Sequence, residues 1–291
     1  MLYRCYAKVN LTLEIVRKRE DGFHELASLV HTIGLADDLR IDAADDLVTR
    51  VEGLDIDPDT NLVARAAQLI STTTRTRQGA ELSLVKRIPA AAGLGGGSSD
   101  AATTLVGLNT LWDSRLGIKD LEGLAAEIGS DIPFFIRGGA ALVQGRGEHI
   151  TPLPALKNQW LVLIVPPHDV TDKTRRLYAA LEQRDFSSGE LTHRAADHLQ
   201  SGGTLREADL RNGFERAARA VFPGQAEVWA EAERVAQRRF FLSGAGPALF
   251  ALARDRADAR RNAATLGKLD GIQAHAVRTI KHARVSTRAR L

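Results

Sequence analysis

The sequence predicts a protein of mixed helices and strands in two domains. A chain of 291 residues is long enough for one large domain or two ordinary ones. Residues 5–16 and 82–88 alternate apolar and polar side chains as half-buried strands do, whereas residues 101–112 carry leucines at helical spacing. Strands and helices therefore follow one another in the first part of the chain.

The domain boundary is predicted at residues 151–158. This segment has two prolines and a loop composition, and a continuously apolar strand follows it at 160–165. We therefore expect one domain over 1–153 and a second over 154–291. Further helices follow in the second domain, and a strand near residues 273–285 closes it.

The composition is typical of a soluble globular protein, with 44% hydrophobic and 26% charged residues. The net charge of +3 is small, which argues against a dedicated nucleic-acid surface. We find no signal peptide and no apolar run of membrane-spanning length, so we expect a cytoplasmic protein without a membrane partner. The single cysteine, Cys5, excludes an internal disulfide and a cysteine-based zinc site, and we expect it to be buried. A basic cluster near the C-terminus is interpreted as a solvated strand and tail: Arg278, Lys281, Arg284, Arg288 and Arg290.

The first two predicted strands carry polar residues that need an explanation. Lys8 and Asn10 lie two residues apart, so they share one face of the first strand. A lysine on a strand is usually a surface residue, and the pattern alone leaves that interpretation open. The next strand, over residues 27–41, is predicted to end in an acidic turn at Asp37-Asp38.

Capping signals mark where two of the predicted helices begin or end. Thr60 is placed to cap a helix that buries Leu62 and the apolar residues one turn apart from it. Another helix is predicted to end at Gly129. Asp131 follows, two residues before Pro133, where an aspartate is ordinarily a helix N-cap.

A glycine loop lies at residues 89–102, which read PAAAGLGGGSSDAA between a strand and a helix. Glycines permit positive φ and remove every Cβ from the inner surface of a loop. Backbone N–H groups can then approach an anion closely, and the start of the helix adds unpaired N–H groups. The sequence therefore predicts a phosphate cradle formed by four glycines and two serines: Gly93, Gly95, Gly96, Gly97, Ser98 and Ser99.

Two better-known phosphate loops do not fit. A Walker loop needs Gly-Lys-Ser/Thr after four spacer residues, and this loop contains no lysine. A dinucleotide fingerprint needs glycine or alanine at the position that Ser98 occupies. A plain flexible turn capped by Ser98 is the remaining alternative, and four glycines with two serines at a helix start make it the weaker one.

The second half contains two further candidate segments. Thr171 is predicted to cap a helix that carries Tyr178. Residues 242–252 read LSGAGPALFAL, a second glycine turn with Gly244 and Gly246 that enters an apolar strand. By itself this turn could be a simple bulge.

The glycine loop closely resembles the central motif of the GHMP kinase superfamily. AKVNLTL at residues 7–13 resembles the first motif of that superfamily, and the second glycine turn resembles the third. GSDIPFF at 129–135 and GRGE at 145–148 are similar to family segments as well. The resemblance implies an α+β fold of two domains, with the active-site cleft between them and the nucleotide machinery mostly in the first.

The resemblance also implies an ATP-dependent small-molecule kinase with ATP and Mg²⁺ as cofactors. The loop backbone would hold the ATP phosphates, and the adenine would lie near Asn61 and Leu62. Ser98 or Ser99 would bind phosphate or Mg²⁺, and no other metal ligand is assigned. The implied ATP-binding residues are Pro89, Ala90, Ala91, Ala92, Gly93, Leu94, Gly95, Gly96, Gly97, Ser98, Ser99, Asn61 and Leu62.

The family's reaction centre maps onto three residues. Asp131 in GSDIPFF would be the general base for an alcohol substrate. Lys8 would keep that carboxylate ionised and stabilise charge on the transferring phosphoryl group. Asn10 would orient the substrate.

DGFH at residues 21–24 resembles one branch of the superfamily, whose substrate is a cytidine-diphosphate-linked sugar alcohol and which acts in non-mevalonate isoprenoid synthesis. Phe23 would stack on the cytosine, and His24 would hydrogen-bond it. Tyr178 would close over the base from the far side. The resemblance places Thr171, Gly244 and Gly246 on the substrate side as well.

Three alternatives stay open at this point. Another kinase of the superfamily, of the homoserine or mevalonate type, has no base to stack and is disfavoured by DGFH. A non-catalytic ligand sensor on the same fold would not need both Lys8 and Asp131. An RNA-binding module is disfavoured by the small net charge. We expect a monomer or a homodimer.

Overall fold

The computed structural model describes residues 1–53, 61–167 and 170–281, in which the strands form two sheets. The first sheet has seven strands: β1 (Leu2–Lys18), β2 (His24–Ala44), β3 (Leu47–Glu52), β4 (Gly79–Val85), β5 (Ala140–Gly145), β6 (His149–Leu153) and β8 (Arg211–Asn212). The second has four: β7 (Trp160–Val165), β9 (Phe241–Leu242), β10 (Leu249–Ala253) and β11 (Gln273–Arg278). The helices of these ranges are α1 (Leu62–Thr74), α2 (Gly96–Leu111), α3 (Ile118–Ile128), α4 (Ile132–Arg137), α5 (Lys173–Ala179), α6 (Glu190–Gln200), α7 (Glu215–Val221), α8 (Gln225–Ala236) and α9 (Arg256–Leu266).

The first sheet is built around the long antiparallel pair β1 and β2, in the strand order β3-β4-β2-β1-β8. Strand β5 also pairs with β2, and β6 pairs with β5. Lys8 pairs with Thr32, and Asn10 pairs with Val30. The register is irregular on both sides of this segment, between Tyr6 and Lys8 and again after Asn10. Bulges of this kind redirect side chains, and these flank the two predicted site residues.

Helices α1 to α4 cover the first sheet. Their apolar faces pack against the strands in one core, which includes Ala66 of α1, Leu105 of α2, Phe134 of α4 and Ile41 of β2. Complete burial of one such large apolar side chain contributes about 1.5–3 kcal/mol to stability. This core fixes the start of α2, and therefore the glycine loop, against the sheet.

The second sheet has the order β11-β7-β10-β9 and packs with α7, α8 and α9. Trp229 and Phe240 are the largest side chains in this second core. Strand β8 leaves this half of the chain and pairs in parallel with β1, Thr12 with Arg211 and Leu13 with Asn212.

A third core, named here the shared core, joins the two sheets. It contains Leu11 of β1 and Ile33 of β2 together with Leu163 of β7 and Phe250 of β10. The chain beyond residue 154 thus contributes a strand to the first sheet and side chains to a common core. The boundary at 153/154 stays a prediction.

Four local predictions are corrected. Asp37 and Asp38 lie within β2 and not in a turn, because Asp37 accepts hydrogen bonds from Lys86 Nζ and from the backbone of the following residues. Helix α2 begins at Gly96, inside the glycine run. Helix α5 begins at Lys173 after Asp172, which has φ +51 and makes no side-chain cap, so Thr171 does not cap it.

The fourth correction concerns α1. Its cap is Asn61, whose Oδ1 accepts from Val63 N at 2.9 Å, and Thr60 lies outside the described residues. Cys5 is buried, as predicted. Arg284, Arg288 and Arg290 of the basic cluster, and the predicted end of the last strand, also lie outside the described residues. Across the described ranges, every helix is too short or too polar to cross a membrane.

Candidate active site

The glycine loop leads directly into the first turn of α2. Gly95 is at the N-cap position with φ +69, and Gly96, Gly97 and Ser98 follow as the first helical residues. Ser99 N is the first amide to bond within the helix, to Gly95 O at 2.9 Å. Within the described residues, the N–H groups of the three preceding positions have no partner, so they are available to an anion.

A cavity of about 560 Å³ lies over this loop. Lys86 and Asp100 line it in addition to predicted residues. Ser99, which is buried, does not line it. The predicted ATP-binding residues that line it are Asn61, Leu62, Pro89, Ala90, Ala91, Ala92, Gly93, Leu94, Gly95, Gly96, Gly97 and Ser98.

The two glycine turns contact each other next to Lys8. A Cβ added to Gly93 would lie 2.3 Å from the carbonyl oxygen of Ser243, so this approach requires glycine. A Cβ on Gly244, whose φ is +55, would lie 3.0 Å from Lys8 Nζ and 3.1 Å from Asn10 Oδ1. Gly244 therefore lies next to the side chains of Lys8 and Asn10, and all three were predicted as site residues.

Lys8 and Asn10 belong to a buried chain of hydrogen bonds on β1 and β2. Lys8 Nζ donates to Asn10 Oδ1 at 2.5 Å, and Asn10 Nδ2 donates to Ser28 Oγ at 2.8 Å. Ser28 Oγ in turn donates to the carbonyl oxygen of Thr12 at 2.6 Å. Burial lowers the pKa of Lys8, and the charge of Asp131 acts in the opposite direction. The chain fixes the direction in which the ammonium group points.

Asp131 stands at the N-cap position of α4, yet its side chain makes no cap. Its φ of −85° and ψ of −14° are helical rather than extended, which turns the carboxylate away from the N–H groups of the first turn. The residue is exposed and lines the cavity that Lys8 lines. The N-cap interpretation thus fits the backbone position of Asp131 but not its side chain.

One cavity of about 520 Å³ holds most of the predicted reaction and substrate residues. Lys8, Asn10 and Asp131 line it together with Phe23 and Tyr178. It also touches the glycine loop at Gly93 and Gly95 and the second turn at Gly244. A ligand in this cavity can therefore contact the predicted base and the predicted aromatic residues at once.

The aromatic residues form a neighbouring cavity of about 710 Å³. Phe23 exposes 54% of its surface, and the Arg146 guanidinium lies 4.7 Å from the centre of its ring. The His24 ring stacks on Tyr178 with 4.5 Å between ring centres and 22° between planes. Burial, with a smaller effect of Lys18, lowers the pKa of His24. At neutral pH the imidazole is therefore uncharged, with one nitrogen donating and the other accepting.

Two of the remaining predicted residues, Thr171 and Gly246, do not line the cavity that contains Lys8 and Asp131. Thr171 is exposed and lines neither of these cavities, whereas Thr174 lines both. Gly246 contributes its backbone carbonyl, which accepts a hydrogen bond from Lys173 Nζ. Burial raises the pKa of Tyr178 to about 12, with a smaller effect of Asp131, so its hydroxyl stays protonated.

Sequence reasoning missed Lys173 and Arg146 as cavity residues. Arg146 had a signal, because it lies in the GRGE turn, which was noted without a role. Lys173 had none, since a lysine at the start of a polar helix is an ordinary surface residue.

A buried charge cluster lies behind the glycine loop. Lys86 Nζ donates to Asp37 Oδ2 at 2.5 Å and to Asp100 Oδ2 at 2.6 Å. Burial raises the pKa of Asp100 to about 7, opposed by Lys86 and reinforced by Asp37. One cation is thus shared between two carboxylates, on β2 and on α2.

Metal ligands are sparse in the described part of the chain. No group of three or more His, Cys, Asp or Glu side chains there is arranged to hold a metal ion. This fits the sequence, from which no carboxylate ligand could be assigned.

Two family models match the chain: the GHMP kinases N terminal domain at 61–139 and the GHMP kinases C terminal domain at 193–269. A 4-diphosphocytidyl-2-C-methyl-D-erythritol kinase of Dehalococcoides mccartyi is 40% identical over 251 residues, which are 86% of this chain and 88% of the relative. A kinase of the same name from Gloeobacter violaceus is 39% identical over 284 residues, which are 95% of this chain and 93% of the relative.

Solved structures agree with these matches. A crystal structure of 4-(cytidine 5'-diphospho)-2C-methyl-D-erythritol kinase has a TM-score of 0.82 and 34% identity, covering 96% of this chain and 99% of that one. A homoserine kinase of Cytophaga hutchinsonii has a TM-score of 0.73 at 19% identity, covering 97% and 94%, which shows a common fold alone. The predicted α+β GHMP kinase fold of two domains is thereby confirmed. The chain belongs, within the GHMP kinases, to the family of 4-diphosphocytidyl-2-C-methyl-D-erythritol kinases.

Proposed function

We propose that the protein transfers the γ-phosphoryl group of ATP to the 2-hydroxyl of 4-diphosphocytidyl-2-C-methyl-D-erythritol, giving the 2-phosphate and ADP. This reaction belongs to non-mevalonate isoprenoid precursor synthesis. The observation that carries the proposal is the cavity that Lys8 and Asp131 share with Phe23 and Tyr178. A substrate with a cytosine at one end and a reacting alcohol at the other needs both sets of residues in one cavity. The names of the relatives support the same substrate.

Phosphoryl transfer depends mainly on positioning and on charge stabilisation. Asp131 accepts the proton of the 2-hydroxyl, and the hydroxyl oxygen bonds to the γ-phosphorus. The bond between that phosphorus and the β–γ bridging oxygen breaks, and ADP leaves with the electron pair. The Lys8 ammonium, which lines the same cavity as Asp131, stabilises the charge of the transferring group.

Positioning comes from fixed groups on both sides of the reacting atoms. The amide groups of Gly96, Gly97 and Ser98 hold the ATP phosphates, and Asn61 and Leu62 lie where the adenine binds. Asn10, held by Lys8 and Ser28, orients the alcohol. No water-mediated step is needed for this arrangement.

The cytosine stacks on Phe23 and hydrogen-bonds His24, whose neutral ring offers one donor and one acceptor. The Tyr178 ring stacks on His24 with 4.5 Å between ring centres, and in the proposed complex it covers the far side of the base. Thr171 stays a proposed substrate-side residue, and Thr174 of the same segment lines both cavities.

The residues present fit a Mg²⁺ ion held mainly by phosphate. Ser98 lines the cavity over the nucleotide loop, and its hydroxyl would supply an oxygen ligand of the kind that Mg²⁺ prefers. Mg²⁺ usually keeps several waters and takes few protein ligands, so phosphate oxygens would supply much of its coordination. When bound with ATP, the ion would neutralise phosphate charge. We further propose that the reaction takes place in the cytoplasm and that the protein is a monomer or homodimer.

The decisive experiment measures ADP release from ATP with three separate substrates: the cytidyl alcohol, homoserine and mevalonate. We expect turnover with the cytidyl alcohol alone. Asp131→Asn removes the base while keeping the shape of the side chain, and we expect it to lower kcat by about 10²–10⁴-fold. Asp113→Asn, an exposed aspartate that pairs only with Arg115, is the matched control and should keep full activity.

Two outcomes would contradict the proposal. Turnover of a different alcohol would reject the cytosine site at Phe23 and His24. ATP binding without turnover of any of the three would favour a ligand sensor on the same fold.

A further inference from the structure

Lys173, the first residue of α5, places an ammonium group between the two glycine turns. Its Nζ donates to the carbonyl oxygen of Ala91 in the glycine loop and to that of Gly246 in the second turn. An ammonium group has three N–H donors. Two of them are used by these backbone carbonyls, and a third is left for another acceptor.

This ammonium group lies where two cavities meet. Lys173 lines the cavity that contains Lys8 and Asp131, and it also lines the cavity that contains Phe23 and His24. A ligand that occupies both cavities therefore has the ammonium group of Lys173 in its surroundings. The residue is only partly exposed, so its charge is weakly solvated.

Lys173 forms no ion pair with a carboxylate of the described residues. In the described ranges, no carboxylate oxygen lies within 4.0 Å of the ammonium of Lys8 or of Lys173. Burial, and then the like charge of Lys8, lower the pKa of Lys173 to about 8. The two cations share their cavity with one carboxylate, that of Asp131, which forms no ion pair with either of them, and a bound anion offsets the remaining positive charge.

We propose that Lys173 binds a phosphate oxygen of the ligand that fills this cavity. The inference rests on the proposed function, because that substrate carries a diphosphate between the cytosine and the alcohol. In the proposed complex the diphosphate lies in the cavity that Phe23, Asp131 and Lys173 line together. The phosphates of ATP offer the same chemistry from the side of Ala91, so the shared ligand is a phosphate oxygen and the test separates its two sources.

The test compares Lys173→Gln with wild type by calorimetric titration of four ligands: cytidine, cytidine diphosphate, adenosine and ADP. Glutamine keeps a hydrogen-bond donor for the carbonyls but has no charge. Loss of one charge-assisted hydrogen bond should lower the binding affinity for the phosphorylated ligand by about 10–100-fold. The matching nucleoside should bind as it does to wild type.

A loss confined to cytidine diphosphate identifies the substrate diphosphate as the source, and a loss confined to ADP identifies the nucleotide. Equal losses for nucleoside and nucleotide, or no loss for either nucleotide, overturn the proposal and leave Lys173 as a tie between two loops. Lys173→Arg keeps the charge and should retain most of the phosphate-dependent affinity. Arg176→Gln, an exposed residue of the same helix, is the matched control and should change nothing.

Thermal unfolding of each variant verifies that the fold is retained. The binding comparison needs no turnover, so its result is independent of the kinase assay. If wild type fails to phosphorylate the cytidyl alcohol, the proposed function falls while the nucleoside–nucleotide difference still decides the role of Lys173.

Discussion

Phe23 is the most exposed large apolar side chain of the described residues, at 54%, and it lies at the mouth of a cavity. A ring in this position adds little to stability, because most of it contacts water. We predict that Phe23→Ala changes the free energy of unfolding by no more than about 0.5 kcal/mol. It should raise the KM for the cytidyl substrate by about 10–100-fold, since stacking of one base on an aromatic ring contributes about 1–3 kcal/mol.

Ile118 provides the matched control for this substitution. It is 49% exposed, at the start of α3, and it lines none of the described cavities around the site. Ile118→Ala should leave the KM for the cytidyl substrate and the KM for ATP at wild-type levels. An unchanged KM for the cytidyl substrate in Phe23→Ala, with steady-state kinetics as the measurement, would show that the base binds elsewhere.

At the residue scale, sequence alone locates a site residue when its role depends on neighbours along the chain. The glycine loop is of this kind, because the loop, the serines and the helix start are contiguous. The role of Lys173 depends instead on residues that are distant along the chain. Its two carbonyl partners are 82 and 73 residues away in sequence, so no local pattern predicts them. Asp131 lies between these cases, since a helical ψ, which the sequence does not reveal, releases its side chain from capping.

At the scale of elements, the Lys86 cluster joins β2, the segment after β4 and the first turns of α2. Asp37 also accepts from the backbone N–H groups of Arg87 and Ile88, the latter at 2.7 Å. The sequence analysis predicted an acidic turn at Asp37-Asp38. Asp37 instead lies within β2 and is bonded to Lys86, 49 residues away, a partner that local pattern cannot anticipate.

We predict that Lys86→Met destabilises the protein strongly. It leaves two buried carboxylates without their cation, and breaking a buried ion pair from one side costs about 3–5 kcal/mol. Since Asp100 has a pKa of about 7 even with Lys86 present, it is protonated at pH 5 and largely ionised at pH 8. The loss should therefore be larger at pH 8 than at pH 5. Urea denaturation at the two pH values measures it.

The double variant Lys86→Met/Asp100→Asn tests the cause. Removal of one carboxylate together with the cation should recover part of the lost stability and reduce the difference between the two pH values. Arg50→Met, which breaks an exposed ion pair with Glu81, is the control and should cost no more than about 1 kcal/mol. A Lys86→Met protein as stable as the control variant would refute the cluster as a stabilising element.

At the scale of the whole molecule, the sequence predicts two sheets but not the contacts that join them. The proline-containing segment and the apolar strand after it mark a new sheet, and Trp160–Val165 indeed lies at its centre. The return of β8 to pair with β1 involves only two residues, too few for a periodic signal. The shared core likewise joins Leu11 to Phe250, a pairing that only tertiary packing defines.

The shared core predicts that the two halves unfold together. Leu11 and Ile33 are buried against the second sheet, so neither sheet keeps its apolar face covered when the other unfolds. Calorimetry should show one transition whose van't Hoff and calorimetric enthalpies agree. Leu11→Ala should shift that whole transition, with a loss of about 2–5 kcal/mol, whereas Leu2→Ala, at 41% exposure, should shift it little. Two separated transitions, of which Leu11→Ala moves only one, would mean that the halves are energetically independent domains and that the shared core contributes little to their cohesion.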